Sequence, residues 1–229
     1  MYYDDEVIGY LQDNKILALQ FDRVLTGTGE MVADSIDTLE AGLTRALYYT
    51  SCFTEEYQDV CKQQHNEDLR FRNSVIYIIK HGNVIIEMFE IYFYEILKYK
   101  TNDQLEHIKH QLMAVNIHIA GSTLTREGFA MGVAFSVAAG MKMSLEMSAK
   151  PGRWAGRVLG VVGVYGIVQK AADSANRLQY QHPAFYAALY ARELEMMYFL
   201  IEPLFDQAGA FKQPSSNEDI ANIISRMIQ

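Results

Sequence analysis

Apolar residues along this chain recur at three- and four-residue spacing, the period of helices that bury one face. Asp13 or Asn14 is placed to cap a helix carrying Ile16, Leu17, Leu19, Val24 and Leu25, which stops at Thr26, Gly27, Thr28 and Gly29. A second stripe, Ile36, Leu39, Leu43, Ala46 and Leu47, predicts an amphipathic helix over 31–49. A polar stretch, 55–72, then runs into Val75, Ile76, Tyr77, Ile78 and Ile79, and Gly82 and Asn83 punctuate the chain. Residues 84–99 are rich in β-branched and aromatic side chains, so propensity alone allows a strand there and at 75–79. The charges favour helix, because Glu87, Glu90, Tyr94 and Lys98 share one helical face and Ile85, Met88, Phe89, Tyr92, Phe93 and Ile96 the other.

Asn102 or Asp103 is placed to cap the next helix, with Leu105, Ile108, Leu112, Val115 and Ile119, and Gly121 and Ser122 loosen its end. From Thr125 the pattern changes to small residues. Two arms, 125–148 and 153–180, meet at a turn of Ala149, Lys150, Pro151 and Gly152 and form a helical hairpin. His182 and Pro183 open an aromatic helix over 185–205 whose buried set is Phe185, Leu189, Leu194, Met197, Leu200 and Ile201, with Pro203 closing or kinking it. Residues 206–217 read as a linker. Ser216 caps a short amphipathic helix, 218–229, carrying Ile220, Ile223, Ile224, Met227 and Ile228, whose default seat is the body of the protein. The fold class is therefore all-α: one helical-bundle domain over 1–205, its glycine-rich hairpin at 125–180 sheathed by amphipathic helices.

The hairpin changes the picture. Between Gly128 and Ala172 lie eight of the fifteen glycines and five cations, Lys142, Lys150, Arg153, Arg157 and Lys170, against Glu146 alone, in a chain of net charge −8. Gly156, Gly160 and Gly163 continue a step begun at Gly152, and Gly132, Ser136 and Gly140 form the matching stripe on the first arm. Small residues at this period let helix axes approach closely. Each glycine costs about 1 kcal/mol against alanine in an exposed helix, so close packing or a lipid setting has to offset it. The uncharged runs, 14 residues from Gly128 to Met141 and 12 from Val158 to Gln169, fall short of the ~20 that a permanent span requires. Lys150, Arg153, Trp154 and Arg157 combine cations with the one tryptophan, the residue mix of a membrane interface.

The run Gly156 to Ala172, through Gly160, Gly163 and Gly166, resembles the glycine-zipper helices of secreted bacterial pore-forming toxins. The likeness is compositional and covers about 45 of the 229 residues, with Lys142, Glu146 and Arg157 interrupting the apolar pattern. It implies a non-enzymatic, membrane-active protein that converts from a soluble to an inserted form through the 125–180 hairpin. The alternative is a soluble adaptor or immunity-type protein-binding module with the hairpin as ordinary core. The expected partners are an anionic membrane or a protein, a second copy of the chain included. Nucleic acid is disfavoured by a pI near 5.2.

Catalytic chemistry has little to stand on. His107 and His110 lie three apart with Asp103 and His118 nearby, but the run is that of a solvated helix face, and no metal or other cofactor is called for. Glu87 and Glu90 could meet Glu193, Glu195 or Glu202, without the histidines that a di-iron site needs. Cys52 and Cys61, nine apart on one continuous helix, would be roughly 13 Å from each other, so reduced buried thiols are expected. The first residues show no basic region followed by an apolar core, so synthesis in the cytosol without a cleavable signal peptide is expected, with any export by another route or with later membrane association.

Overall fold

In the computed structural model the described residues are 41–42, 45, 48–53, 55–81, 84–119, 125–148, 161–212 and 216–228, with the backbone alone described at 49–50, 79, 142–148 and 161–165. The protein is all-α, and no strand occurs among these residues. A 3-10 turn, Tyr49–Phe53, precedes α1 (Gln58–His81), α2 (Val84–Leu97), α3 (Asn102–Ala114), α4 (Arg126–Ser148), α5 (Val161–Gln181) and α6 (Pro183–Tyr190). A 3-10 segment, Glu195–Leu200, leads into α7 (Glu202–Ala208), and α8 (Asn217–Ile228) follows. The helical reading of 75–79 and 84–86 holds, since both lie inside α1 and α2. The expected helices before residue 41 lie outside the described residues.

The bundle has two halves joined where α2 packs on α6 and where α7 meets the 3-10 segment. On one side α4 lies along α2 and α8, and α8 also packs on α3 and α7. On the other, α5 packs on the 3-10 segment and α6, while α1 reaches both the 3-10 segment and α5. Where the halves meet, Phe205 is the hub of an aromatic cluster. Its ring stacks near-parallel on Phe89 at 5.9 Å and Phe185 at 5.8 Å, and meets Tyr92 edge-on at 4.7 Å and Tyr198 at 6.0 Å. These are the offset and edge-to-face geometries that ring quadrupoles favour. The Tyr92 hydroxyl donates to the Ala210 carbonyl, and burial pushes the phenol well above its ordinary pKa.

Three helices close in the same way, with a residue at positive φ and a six-to-one backbone bond. At the end of α3 this is Asn116 (φ 63), with the Ile117 amide donating to the Leu112 carbonyl at 2.9 Å. After α7 it is Gly209 (φ 65), with Ala210 donating to Phe205. After α6 it is Glu193 (φ 58), with Leu194 donating to Leu189. Asparagine and glycine accept that conformation readily, whereas for glutamate it costs about 1 kcal/mol or more. Bonds from α1 offset the cost: the Ser74 hydroxyl donates to the Glu193 carbonyl and the Asn73 amide to its carboxylate at 3.1 Å.

Several expectations are corrected here. The aromatic helix over 185–205 is three pieces, because the Glu193 turn ends α6 and Pro203 sits in the first turn of α7 instead of closing a helix. The cap of α3 is Thr101, which forms a reciprocal capping box with Gln104, and neither Asn102 nor Asp103 fills that place. Val115 and Ile119 lie beyond the end of α3. Residues 206–208 complete α7, and Ala210 and Phe211 pack into the aromatic cluster. Cys52 and Cys61 form a disulfide, with Cα atoms 5.0 Å apart. They are not on one helix: the 3-10 turn ends at Phe53 and the chain turns back before α1, so the 13 Å separation never arises.

Removing the hub tests this core. Phe205→Ala should lower unfolding free energy by about 3–5 kcal/mol, whereas Tyr92→Phe, which loses only a hydrogen bond and leaves the Ala210 carbonyl unpaired, should cost about 1–3 kcal/mol. Urea denaturation of the two variants gives both numbers.

Candidate functional site

The residues with an unusual pattern are those of α4 and α5. Thr125 caps α4 through the Gly128 amide at 3.2 Å, and Arg126 donates to the Lys98 carbonyl at 2.6 Å, fixing the start of α4 to the end of α2. Phe129, Ala130, Val133, Ala134, Val137 and Ala138 are buried, and so is Gly132. Met131 and Phe135, one turn apart on the other face, are about half exposed. Ser136 is half-buried and returns its hydroxyl to the Gly132 carbonyl at 2.9 Å.

Gly140 sits at a close approach, and the neighbour is α8. A Cβ placed on it would lie 2.9 Å from the Ile228 carbonyl oxygen and 3.1 Å from its Cγ2. Any larger residue must displace the end of α8. Gly163 falls in the first turn of α5, whose buried face further on is Val168, Ala171, Ala172, Ala175 and Leu178. Gly156, Gly160, Lys150, Arg153, Trp154 and Arg157 lie outside the described residues.

A second feature is polar and was not legible in the sequence. Arg45 is wholly buried. Its guanidinium donates to Asp68 at 2.6 and 3.2 Å, to Glu67 at 3.0 Å, to the Gln64 carbonyl at 3.1 Å and to Gln169 of α5 at 3.1 Å. One arginine therefore ties its own segment to α1 and to α5. Its partners lie 19 to 124 residues away along the chain, so no local spacing announces it. Arg70 of α1 binds the buried Glu195 and lies 3.3 Å over the Tyr190 ring. Arg177 of α5 grips Glu202 of α7 with two bonds, at 2.7 and 2.9 Å.

Such pairings absorb Glu87, Glu195 and Glu202 of the carboxylates considered above as a cluster. Glu87 accepts from Tyr77 at 2.9 Å and Arg192 at 2.9 Å, Glu195 takes Arg70, and Glu202 takes Arg177. Among the described residues no three His, Cys, Asp or Glu side chains converge as a metal site would need. His107, His110, His118 and Asp103 are all exposed. An open groove of about 330 Å³ between α2, α4 and α6 is lined by Glu90, Ile91, Tyr94, Glu95, Glu127, Ala130, Ala188 and Arg192, without a nucleophile beside a base.

The chain gives no significant match to any protein-family model, curated protein or solved structure. Its function has to be argued from its own geometry.

Two measurements probe the polar ties. Arg45→Met takes the cation from beside the buried Asp68 carboxylate and should cost about 3–5 kcal/mol, while Asp68→Ala should cost less, because Glu67, Gln169 and the Gln64 carbonyl still hold the guanidinium. At the α5–α6 junction His182 stacks on Phe211 at 3.7 Å, and burial lowers its pKa below 6.5 against the opposing pull of Asp206. A folded pKa below the unfolded one means that the neutral ring is favoured, so this contribution is lost as pH falls through 6.5. The Asp206 carboxyl, raised by burial and by Glu202, runs the other way, its cost being relieved only at more acid pH. The urea midpoint should therefore drop between about pH 7 and pH 5.5, and drop less in His182→Phe.

Proposed function

We propose that the protein is a non-enzymatic, membrane-active helical protein of bacterial-toxin type, held in a bundle until the 125–180 hairpin transfers to an anionic bilayer. The observation that carries this reading is the covering of α4. Its 14-residue uncharged run, 128–141, is overlaid by two helices of mixed character, α2 and α8, which present apolar side chains to the bundle and charged ones outward. A helix so short of charge has two homes, a protein core or a lipid one.

None of the described helices is long and apolar enough to cross a membrane. The reading is accordingly one of conditional entry, in which the arms go in together and their small residues pack against each other. The basic stretch of sequence with Lys150, Arg153, Trp154 and Arg157 makes the first contact, each cation contributing about 1 kcal/mol at an anionic surface.

A second reading, a soluble adaptor or immunity-type module that binds another protein, is favoured by the depth at which Val133, Ala134 and Val137 lie and by the half-exposed Met131 and Phe135 beside them. The two separate on one experiment. Dye release is followed from anionic and neutral vesicles at about pH 7 and pH 5, with Gly160→Leu and the double variant Arg153→Glu, Arg157→Glu alongside. The membrane reading expects release that requires anionic lipid, loss of release in Gly160→Leu with the helical fold retained, and vesicle binding weakened at least roughly 30-fold in the double variant. Absence of release from every vesicle would sink it. Unfolding of Gly160→Leu in solution would favour the module.

A further inference from the structure

We infer that the Cys52–Cys61 disulfide is a redox lock on the Arg45 clasp: closed, it holds the segment of Arg45 on α1, and reduced, it lets the tie between α1 and α5 loosen. The inference goes beyond the membrane reading and does not rest on it.

The two attachments share one stripe of α1. Cys61, Gln64 and Asp68 follow one another at three- and four-residue steps, and the stripe continues through the buried Phe71, Val75 and Ile78. Cys52 joins the start of that stripe through the disulfide, and Gln58 also donates to the Cys52 carbonyl at 3.3 Å. The Arg45 guanidinium joins it one and two turns further on, at the Gln64 carbonyl and the Asp68 carboxylate. Arg45 precedes Cys52 by seven residues, and the same guanidinium reaches Gln169 of α5 at 3.1 Å. One stretch of chain thus carries both the covalent attachment and the clasp, so a change at the sulfurs is felt at α5.

With the bond closed, the 3-10 turn cannot leave α1 and Arg45 stays on a short tether beside its partners. Opening restores the conformational freedom of a loop of sequence separation 9, worth up to about a hundredfold in the equilibrium between a seated and an open segment. An open segment takes the guanidinium from beside the buried Asp68 carboxylate, and α5 loses a directional bond at Gln169.

The bond is open to exchange. Both cysteines are half-buried and their neighbours Phe53 and Lys62 are exposed, so neither is sealed in the core. The chain has two cysteines, so no third thiol of its own competes. A thiolate of glutathione type attacks one sulfur, and the Cys52–Cys61 bond breaks as a mixed disulfide forms. A second such thiolate displaces the cysteine from it, leaving both cysteines as thiols protonated from solvent and the reductant, two electrons poorer, as its own disulfide. Disulfides persist in oxidising compartments and yield to the thiols of the cytosol. The locked form therefore belongs to an oxidising setting and the unlocked form to a reducing one.

Hydrogen exchange of the whole chain tests the lock, in glutathione buffers of opposite poise and with free thiols counted alongside. In the reduced buffer both cysteines should titrate as thiols while the helical fold stays. The amides of the 3-10 turn and of α5 around Gln169 should then exchange about tenfold to a hundredfold faster, with α2 and α3 unchanged. Cys52→Ser paired with Cys61→Ser should reproduce the reduced state in either buffer. Gln169→Leu takes α5 out of the clasp and leaves Arg45 on α1. In that variant reduction should still speed exchange in the 3-10 turn but change α5 by less than about twofold. The lock is overturned by a bond that stays closed in the reduced buffer or by a chain that unfolds when it opens. It is equally overturned by α5 exchange that does not respond to the bond, or that responds as strongly in Gln169→Leu.

Discussion

The structure depends on keeping water from α4. Six of its side chains between Phe129 and Ala138 are buried, while Met131 and Phe135 on the other face stay about half exposed, so the charge-poor run relies on its neighbours for most of its cover. It therefore needs cover on more than one side. α2 provides the first, tied at its end by Arg126 to the Lys98 carbonyl, and α8 the second, seated at Gly140. The rest of the bundle follows from positioning those two covers. The aromatic hub at Phe205 joins α2 to α6 and α7, and α7 leads through the Gly209 turn towards α8.

The same constraint separates α4 and α5 in character. α4 meets mostly apolar surface, while α5 is threaded into a polar framework through Gln169 and Arg177. Buried charge is weak evidence for stability, because desolvation opposes the Coulombic gain, but it is strong on geometry. The Arg45 clasp, the Arg70 stack on Tyr190 and the Arg177 fork place α1, α5, α6 and α7 relative to one another. Among the described residues, the side of the bundle holding α4 and α8 buries mainly apolar side chains.

Much of the helical content was legible because it needs only local information. The face formed by Ile85, Met88, Phe89, Tyr92 and Phe93 was read from spacing and is buried. The span of α4 and the apolar face and cap of α8 were readable for the same reason, since Thr125 and Ser216 stand directly before their helices. Of the candidate site, the stripe at Gly132, Ser136 and Gly140 was visible as a period. Its partner at Gly140 was not, because a glycine announces that something comes close without naming what.

The sequence by itself determined an all-α chain, the apolar faces of α2, α3 and α8 and the segment in which bulk and charge are scarce, all of which depend on residues within a few turns of one another. Only the tertiary structure decided that Glu193 ends α6 in a left-handed turn, since the bonds that stabilise it come from Ser74 and Asn73. It also decided that Cys52 and Cys61 meet, through a reversal of the chain ahead of α1, and that Arg45 is buried among Glu67, Asp68 and Gln169. Each of these joins residues whose proximity is created by packing, where the gain is collective and no single stretch of sequence carries its signal.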